Sequence, residues 1–422
     1  MGNSQSSSTL DTHVASAMRA FTQQELEELR SLFSSLAAQS KSNGQFISRS
    51  VFTTYFRIPV SLGERMFDLV TQKRNDQKIT FEDLVVAKAT YEKGTKDDME
   101  EFIYQLVDVN GDGTLGRSDL EAVLVGILES LFSQNDHTPG SGSNKYFIDA
   151  LLNAATYSKC GLGSEEKSMS LQDFNNWCAL VLSVRKYLGG LLMQPDPGRF
   201  GSQVPHLLFP ESYATNIILR EEYAWFIGGS LSQQELEAWE LLYHSYYNGL
   251  SFNTFLGSML NDEGPTLIII NDKEGCIYGG YASHPWERRS DFYGDMKSFL
   301  FQLHPKASIF RPTGANSNLQ WCAMNYSSEA IPNGIGFGGR VHHFGLFLSA
   351  SFDHGHSFAC STFGSPCLSA SNQIFPEVIE CWTVRPKGVQ QLRIDAARGT
   401  VLERFKEDRH MLNMVGIANS SS

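Results

Sequence analysis

Asp108-Val109-Asn110-Gly111-Asp112-Gly113-Thr114-Leu115-Gly116-Arg117-Ser118-Asp119 places oxygen-bearing side chains at positions 1, 3, 5 and 12 of a twelve-residue loop, with glycine at position 6. That spacing is the signature of an EF-hand. Calcium takes about six to eight oxygens. Asp108, Asn110, Asp112 and Asp119 offer side-chain oxygens, and Thr114 offers its backbone carbonyl. Position 12 is Asp rather than Glu, and the shorter carboxylate reaches an ion less well. The expectation is a weak Ca²⁺ site, or one tilted toward Mg²⁺. The alternative is a scaffold loop that holds no metal. On either side, Phe102, Ile103 and Leu106, then Leu120, Val123 and Leu124, have the three- to four-residue spacing of two amphipathic helices.

Outward from this loop the skeleton repeats without its ligands. Aligning the inward apolar position gives Phe46, Ile79, Leu115 and Met169, which predicts four hands arranged as two pairs. Gln72 to Asp83 keeps Asp76 and Asp83 but has Gln72 and Arg74 at ligand positions, so no metal is expected there. The loop near Gly44 ends at Ser50, and the loop ending at Asp173 is more degenerate still. Upstream, Thr22 and Glu25 form a capping box, with Phe21 and Leu26 as its staple, so a helix begins there. Residues 21–192 are read as one helical EF-hand-like domain.

Composition bounds the function. The 422 residues carry 34 Lys and Arg against 46 Asp and Glu, a net charge of −12, so no nucleic-acid partner is expected. The longest apolar runs, such as Leu267 to Ile270, fall far below the roughly 18 residues needed to span a bilayer. Seven cysteines (Cys160, Cys178, Cys276, Cys322, Cys360, Cys367 and Cys381) include no C-x-x-C pair, and the first residues lack the apolar core of a secretory signal, so none is expected. A reducing cytosolic setting is expected. Residues 1–20 are read as a flexible lead. Its Met1-Gly2-Asn3-Ser4-Gln5-Ser6 fits the N-myristoylation pattern, with the acyl chain on Gly2. One such chain binds membranes only marginally, at about 10⁴ M⁻¹, and no polybasic patch adjoins it. The second anchor is therefore expected to be a protein already on the membrane.

The breaker-rich segment 193–206 reads as a linker into a strand-rich region, 207–385. A second capping box, Ser232 with Glu235, predicts a helix running toward Tyr247. Thr266 to Ile270 and Cys276 to Ala282 flank a short Gly-containing loop, as in a hairpin, and Phe344 to Leu348 and Ile379 to Val384 read as buried strands. Without βαβ alternation, the fold class is α+β: an all-α EF-hand-like region, then an antiparallel two-layer β-sandwich with a few helices. Residues 386–415 mix apolar Leu392, Val401, Leu402, Phe405 and Leu412 with Arg398 and other charges. They predict a C-terminal amphipathic helix, either packed on its own domain or seated in a partner's groove. Residues 416–422 are read as a disordered tail.

Within 207–385, a family likeness becomes specific. Leu207-Leu208-Phe209-Pro210, Phe310-Arg311-Pro312, and Phe358-Ala359-Cys360-Ser361-Thr362-Phe363-Gly364-Ser365-Pro366-Cys367-Leu368-Ser369 followed by Ile379-Glu380-Cys381-Trp382-Thr383-Val384 resemble the TLDc domain. With a myristoyl signal and EF-like hands in front, the chain is similar to the mTOR-associated, lysosome-linked branch of that family in animals. The resemblance implies a non-enzymatic partner of the vacuolar-type proton ATPase, linked to mTOR pathway components. Its place would be the cytosolic face of the lysosomal membrane and the cytoplasm. Other members of the family are linked to oxidative-stress resistance, so the alternative is a protective enzyme using Cys360 or Ser361. The residues themselves supply little for catalysis. His342, His343, His354 and His356 with Cys360 match no common zinc spacing, and Ser361 with His354 and Glu377 lacks a nucleophile elbow. Gly334 to Gly339 reads as close strand approach rather than a nucleotide loop.

Overall fold

The computed structural model describes residues 5–384 apart from 41–43, 73, 75, 133–141, 161–166, 196–198, 200 and 261–263. Helix α1 (Gln5–Arg19) stands where the sequence suggested an unstructured lead. Its Ala17 and Met18 pack with Phe21, Leu29 and Val85, a cover supplied by residues far along the chain. Helix α2 (Gln23–Gln39) starts at the expected box: Thr22 Oγ1 accepts the Glu25 N–H at 3.3 Å, and Glu25 Oε2 accepts the Thr22 N–H at 2.7 Å. Such a cap contributes about 1 kcal/mol.

Helix α2, strand β1 (Ile47–Ser48), helices α3 (Arg49–Tyr55) and α4 (Val60–Val70), strand β2 (Lys78–Ile79) and helix α5 (Phe81–Lys93) make a first pair of helix–loop–helix units, at the first two repeats of the sequence. Ile47 faces Ile79 across antiparallel β1–β2. The repeat spacing places Phe46 there, and the structure moves the register by one residue. Ile47 is fully buried, whereas Phe46 lies half-buried beneath the Lys78 ammonium, 4.9 Å from its ring centroid. The final position of the first loop is then Val51 rather than Ser50. Helices α6 (Lys96–Val107), α7 (Arg117–Phe132) and α8 (Gly142–Asn153), strands β3 (Lys159–Cys160) and β4 (Lys167–Ser168), and helix α9 (Leu171–Leu180) make the second pair, and helix α10 (Leu182–Gly189) follows it. There Leu115 bridges Met169, whose N–H donates to Leu115 O at 2.8 Å.

The strand-rich region contains β5 (His206–Leu208), α11 (Glu221–Gly228), β6 (Ala238–His244), α12 (Ser245–Asn248), α13 (Phe252–Leu260), β7 (Thr266–Asp272), β8 (Ile277–Ala282), β9 (Phe299–His304), β10 (Ser308–Phe310), β11 (Gln320–Ala323), β12 (Gly334–Arg340), β13 (His343–Ser349), β14 (Gly355–His356), β15 (Gln373–Ile374) and β16 (Pro376–Thr383). Seven strands form one sheet in the order β10-β9-β8-β7-β16-β6-β5, and five form another in the order β11-β12-β13-β14-β15. All pairs are antiparallel except β5–β6. The Ser232–Glu235 box is present, but it opens only a short turn, Gln233–Leu236, before β6 begins. Tyr281 of β8 donates to Glu235 Oε1 at 2.6 Å and draws that turn onto the sheet. Trp239 and Leu241 then face the helices, and past a bulge Tyr243 faces the second sheet.

The two sheets pack as the expected antiparallel sandwich, and the helices add a third layer outside it. Ile268, Ile270, Leu300, Ile379 and Cys381 of the seven-stranded sheet pack with Ile335, Phe337, Leu346 and Leu348 of the five-stranded sheet. The intervening Leu267, Ile269, Phe299, Phe301 and Trp382 share one core with α6 to α11. A strand buried on both faces reads as a continuous apolar run, as Leu267 to Ile270 does. The described residues of the 193–206 segment are packed rather than free. Arg199 donates to Phe56 O at 2.6 Å, and Trp225 Nε1 donates to Gly201 O at 2.9 Å. Gly201 has φ +81°, and a Cβ there would sit 2.3 Å from Tyr187 N in α10. On β16, fully buried Glu380 accepts from Leu219 N–H at 3.2 Å, Trp382 Nε1 at 2.9 Å and Ile218 N–H at 2.5 Å, fastening the 216–219 segment to the sheet.

Candidate functional site

The loop of residues 108–119 is shaped by its own short side chains. Left-handed Gly111 (φ +70°) and Gly113 (φ +84°) turn the backbone so that its N–H groups meet carboxylates. Asp108 Oδ1 accepts Gly111 N–H at 2.9 Å and Oδ2 accepts Gly113 N–H at 3.1 Å. Asn110 Oδ1 accepts Asp112 N–H at 2.8 Å, and Asp112 Oδ1 accepts Thr114 N–H at 2.7 Å and its hydroxyl at 2.6 Å. Asp119 Oδ2 accepts Gly116 N–H at 2.9 Å. Desolvation raises the Asp119 carboxyl above its ordinary value, and the charges of Asp108 and Asp112 add to the rise. The Thr114 hydroxyl and N–H hold Asp112 below its ordinary value.

These hard oxygen donors fit Ca²⁺ or Mg²⁺, and the strained ionisation of Asp119 is what a cation would relieve. The carboxylates nevertheless point at backbone N–H groups. Among the described residues, no three His, Cys, Asp or Glu side chains converge to hold an ion.

What fills the corresponding place differs between the four loops. In the second, Arg74 lies 3.9 Å from Asp76, donates to Lys78 O at 3.1 Å and pairs with Asp83, so its guanidinium meets positions 5, 7 and 12 of its own loop. In the fourth, Asp173 is held down to about 2, chiefly by the Ser158 hydroxyl and then by Ser170. In the third, the cation comes from outside: Arg65 of α4 donates from Nη2 to Asp108 Oδ2 at 3.2 Å. Arg65 was not legible in the sequence, because it lies 43 residues from its partner and outside every loop. Arg74 carried a signal: a basic residue at a ligand position marks a substitute for the ion.

The other candidate residues lie apart. Gly2 falls outside the described residues, as do Leu392, Arg398, Val401, Leu402, Phe405 and Leu412. Cys360 is buried, whereas Ser361 is exposed and its carbonyl accepts the Thr313 hydroxyl at 2.7 Å. His354 engages Asp353 at 2.6 Å. Burial pushes His356 down to about 4, and its ring stacks on Phe347 at 5.0 Å, while His343 lies against Phe358. Those two rings serve an aromatic face of the five-stranded sheet.

Residues 212–385 match the TLDc domain family. The chain is 33% identical over 244 residues to the zebrafish (Danio rerio) MTOR-associated protein MEAK7, covering 56% of this chain and 52% of that protein. It is 32% identical over 201 residues to the human protein of that name, covering 46% and 42%. To rat oxidation resistance protein 1 it is 31% identical over 144 residues, 34% of this chain and 16% of that protein. The chain thus spans about half the length of the first two relatives.

Proposed function

We propose, on the premise that this chain is a TLDc-domain protein carrying that domain at residues 212–385, that it is a non-enzymatic peripheral-membrane adaptor in mTOR signalling. Its partner would be the vacuolar-type proton ATPase, met at the cytosolic face of the lysosome and in the cytoplasm. The observation that carries this reading is the reach of the similarity. The match to the MTOR-associated protein runs over 244 residues, longer than the TLDc segment itself, whereas the match to oxidation resistance protein 1 stops at 144. The shared core of the EF-hand-like helices and the seven-stranded sheet adds support, because a partner then meets one rigid composite surface. Ca²⁺ or Mg²⁺ at Asp108, Asn110, Asp112, Thr114 and Asp119 would tune that surface. A myristoyl group on Gly2 would add a weak hold on the membrane, and residues 386–415 would clasp a second subunit.

The test is co-migration of the purified chain with intact vacuolar-type ATPase on a sizing column, with Ca²⁺ or chelator, against a truncation at Pro386. Co-migration lost on truncation supports the clasp, and a Ca²⁺ difference supports the tuning. No co-migration under any condition overturns the adaptor reading. Cys360→Ala and Ser361→Ala are expected to leave co-migration unchanged. If either abolishes protection of cells from peroxide while binding persists, the enzyme alternative takes its place.

A further inference from the structure

Arg65 is a cation that one helix presses against the acidic loop of another. Its side chain is 8% exposed and that of Asp108 6%, and besides the 3.2 Å contact to Asp108 its Nε donates to Gln105 O at 2.8 Å in the last turn of α6. A Cβ on Gly111 would lie 2.9 Å from Arg65 Nη1, so the guanidinium covers the loop from position 1 to position 4. Asp108 has little capacity left. A carboxylate offers about four lone-pair sites. Gly111 N–H takes one on Oδ1, while Gly113 N–H and Arg65 both draw on Oδ2. A metal at this loop needs the same carboxylate.

The second hand displays the limiting case of this arrangement. Arg74, carried within its own loop, gathers Asp76, Lys78 O and Asp83 around one guanidinium. There the substitution is built in. In the third hand the substitute cation is held by a different helix, so it can leave.

We propose that Arg65 is a tethered cation that competes with the metal for Asp108 and, because α4 carries it, couples occupancy of the 108–119 loop to the first pair of hands. This rests on the reading of that loop as a Ca²⁺ or Mg²⁺ site. Filling the loop breaks a buried ion pair, which weakens binding. It also releases the tie between α4 and the end of α6. Vacating the loop restores both.

The experiment is calorimetric Ca²⁺ titration of the full chain, comparing wild type, Arg65→Met and Arg65→Lys, with Asp108→Ala as the control that removes the shared ligand. Arg65→Met is expected to bind about tenfold more tightly than wild type, which corresponds to losing a competing interaction of about 1.4 kcal/mol. Arg65→Lys should fall between, since one ammonium cannot hold Gln105 O and Asp108 as a planar fork does. Asp108→Ala should be silent. A silent wild type beside a binding Arg65→Met also supports the proposal. Equal dissociation constants in all three Arg65 forms would overturn it while leaving the metal site standing. Absence of binding in every form at millimolar Ca²⁺ would remove the metal site, and the competition with it. Should Arg65→Met fail to fold, Arg65→Lys decides: a dissociation constant equal to wild type overturns the proposal.

Discussion

Arg74 settles a charge problem inside its own loop, whereas Glu380 carries one that backbone N–H groups from far along the chain answer. Asp83 is buried at the end of the second loop, where it serves both as the reciprocal partner of Thr80 in the α5 cap and as a ligand of the Arg74 guanidinium. Arg74→Met leaves that carboxylate without its cation. Since the arginine is 39% exposed, solvent screens part of the loss, and a drop of about 1–2 kcal/mol in urea unfolding is expected. Ca²⁺ should not restore it, because Gln72 and the introduced methionine would still be poor ligands. Glu380 poses the opposite case. Burial pushes its carboxyl up from 4.5 to about 7, against the pull of the Ile218, Trp382 and Leu219 N–H donors. The folded chain then binds this proton more tightly than the unfolded chain does. Its contribution to stability is complete below the ordinary carboxyl value and is lost as pH rises through 7. Between pH 8 and pH 5 the wild type should gain more than about 1 kcal/mol relative to Glu380→Gln in paired denaturation curves. No difference between the two pH slopes would refute the assignment.

At the scale of elements, the fold turns on what each segment meets after it forms. The Thr22, Thr80, Thr95 and Ser170 boxes start α2, α5, α6 and α9, because the cap is satisfied within four residues and needs no distant partner. The Ser232 box obeys the same local rule, yet only a turn follows it. Tyr281 and the edge left open beside β16 claim the next residues for β6. Segment 193–206 has linker composition, but its described residues Gly201 and Arg199 fasten it to α10, α11 and the residue that follows α3. Gly201→Ala is therefore expected to cost on the order of 2 kcal/mol or more, since it combines a left-handed backbone with a side chain driven into the α10 backbone. The thermal midpoint should fall accordingly. An unchanged midpoint would mean that the segment is only loosely held.

For the whole molecule, three layers and a shared core predict one cooperative unit. Leu188 of α10, Trp225 of α11 and Trp382 of β16 belong to the same buried cluster. Calorimetry of the full chain should give a single transition, with the N-terminal helices and both sheets melting together. Two resolved transitions would contradict the common core. A fragment of residues 207–385 alone would bare Leu267, Ile269, Phe299, Phe301 and Trp382 on one sheet face. It should aggregate or melt well below the full chain, as exposed apolar patches of that kind do.

Much was legible in the sequence wherever the deciding interaction spans a few residues. The turn at 108–119, the caps, the 266–282 hairpin and the stretch around Cys360 that resembles the TLDc family all lie in short windows, so local geometry and motif suffice to read them. The Ile47 register, the third layer and the strand after Ser232 were decided by tertiary packing. In each case the competing local choices differ little in energy, and burial against a distant element selects between them. The cation beside Asp108 belongs to the same class. The loop's own residues determine that it draws a positive charge, whereas the folding of α4 against α6 decides that Arg65 already stands there.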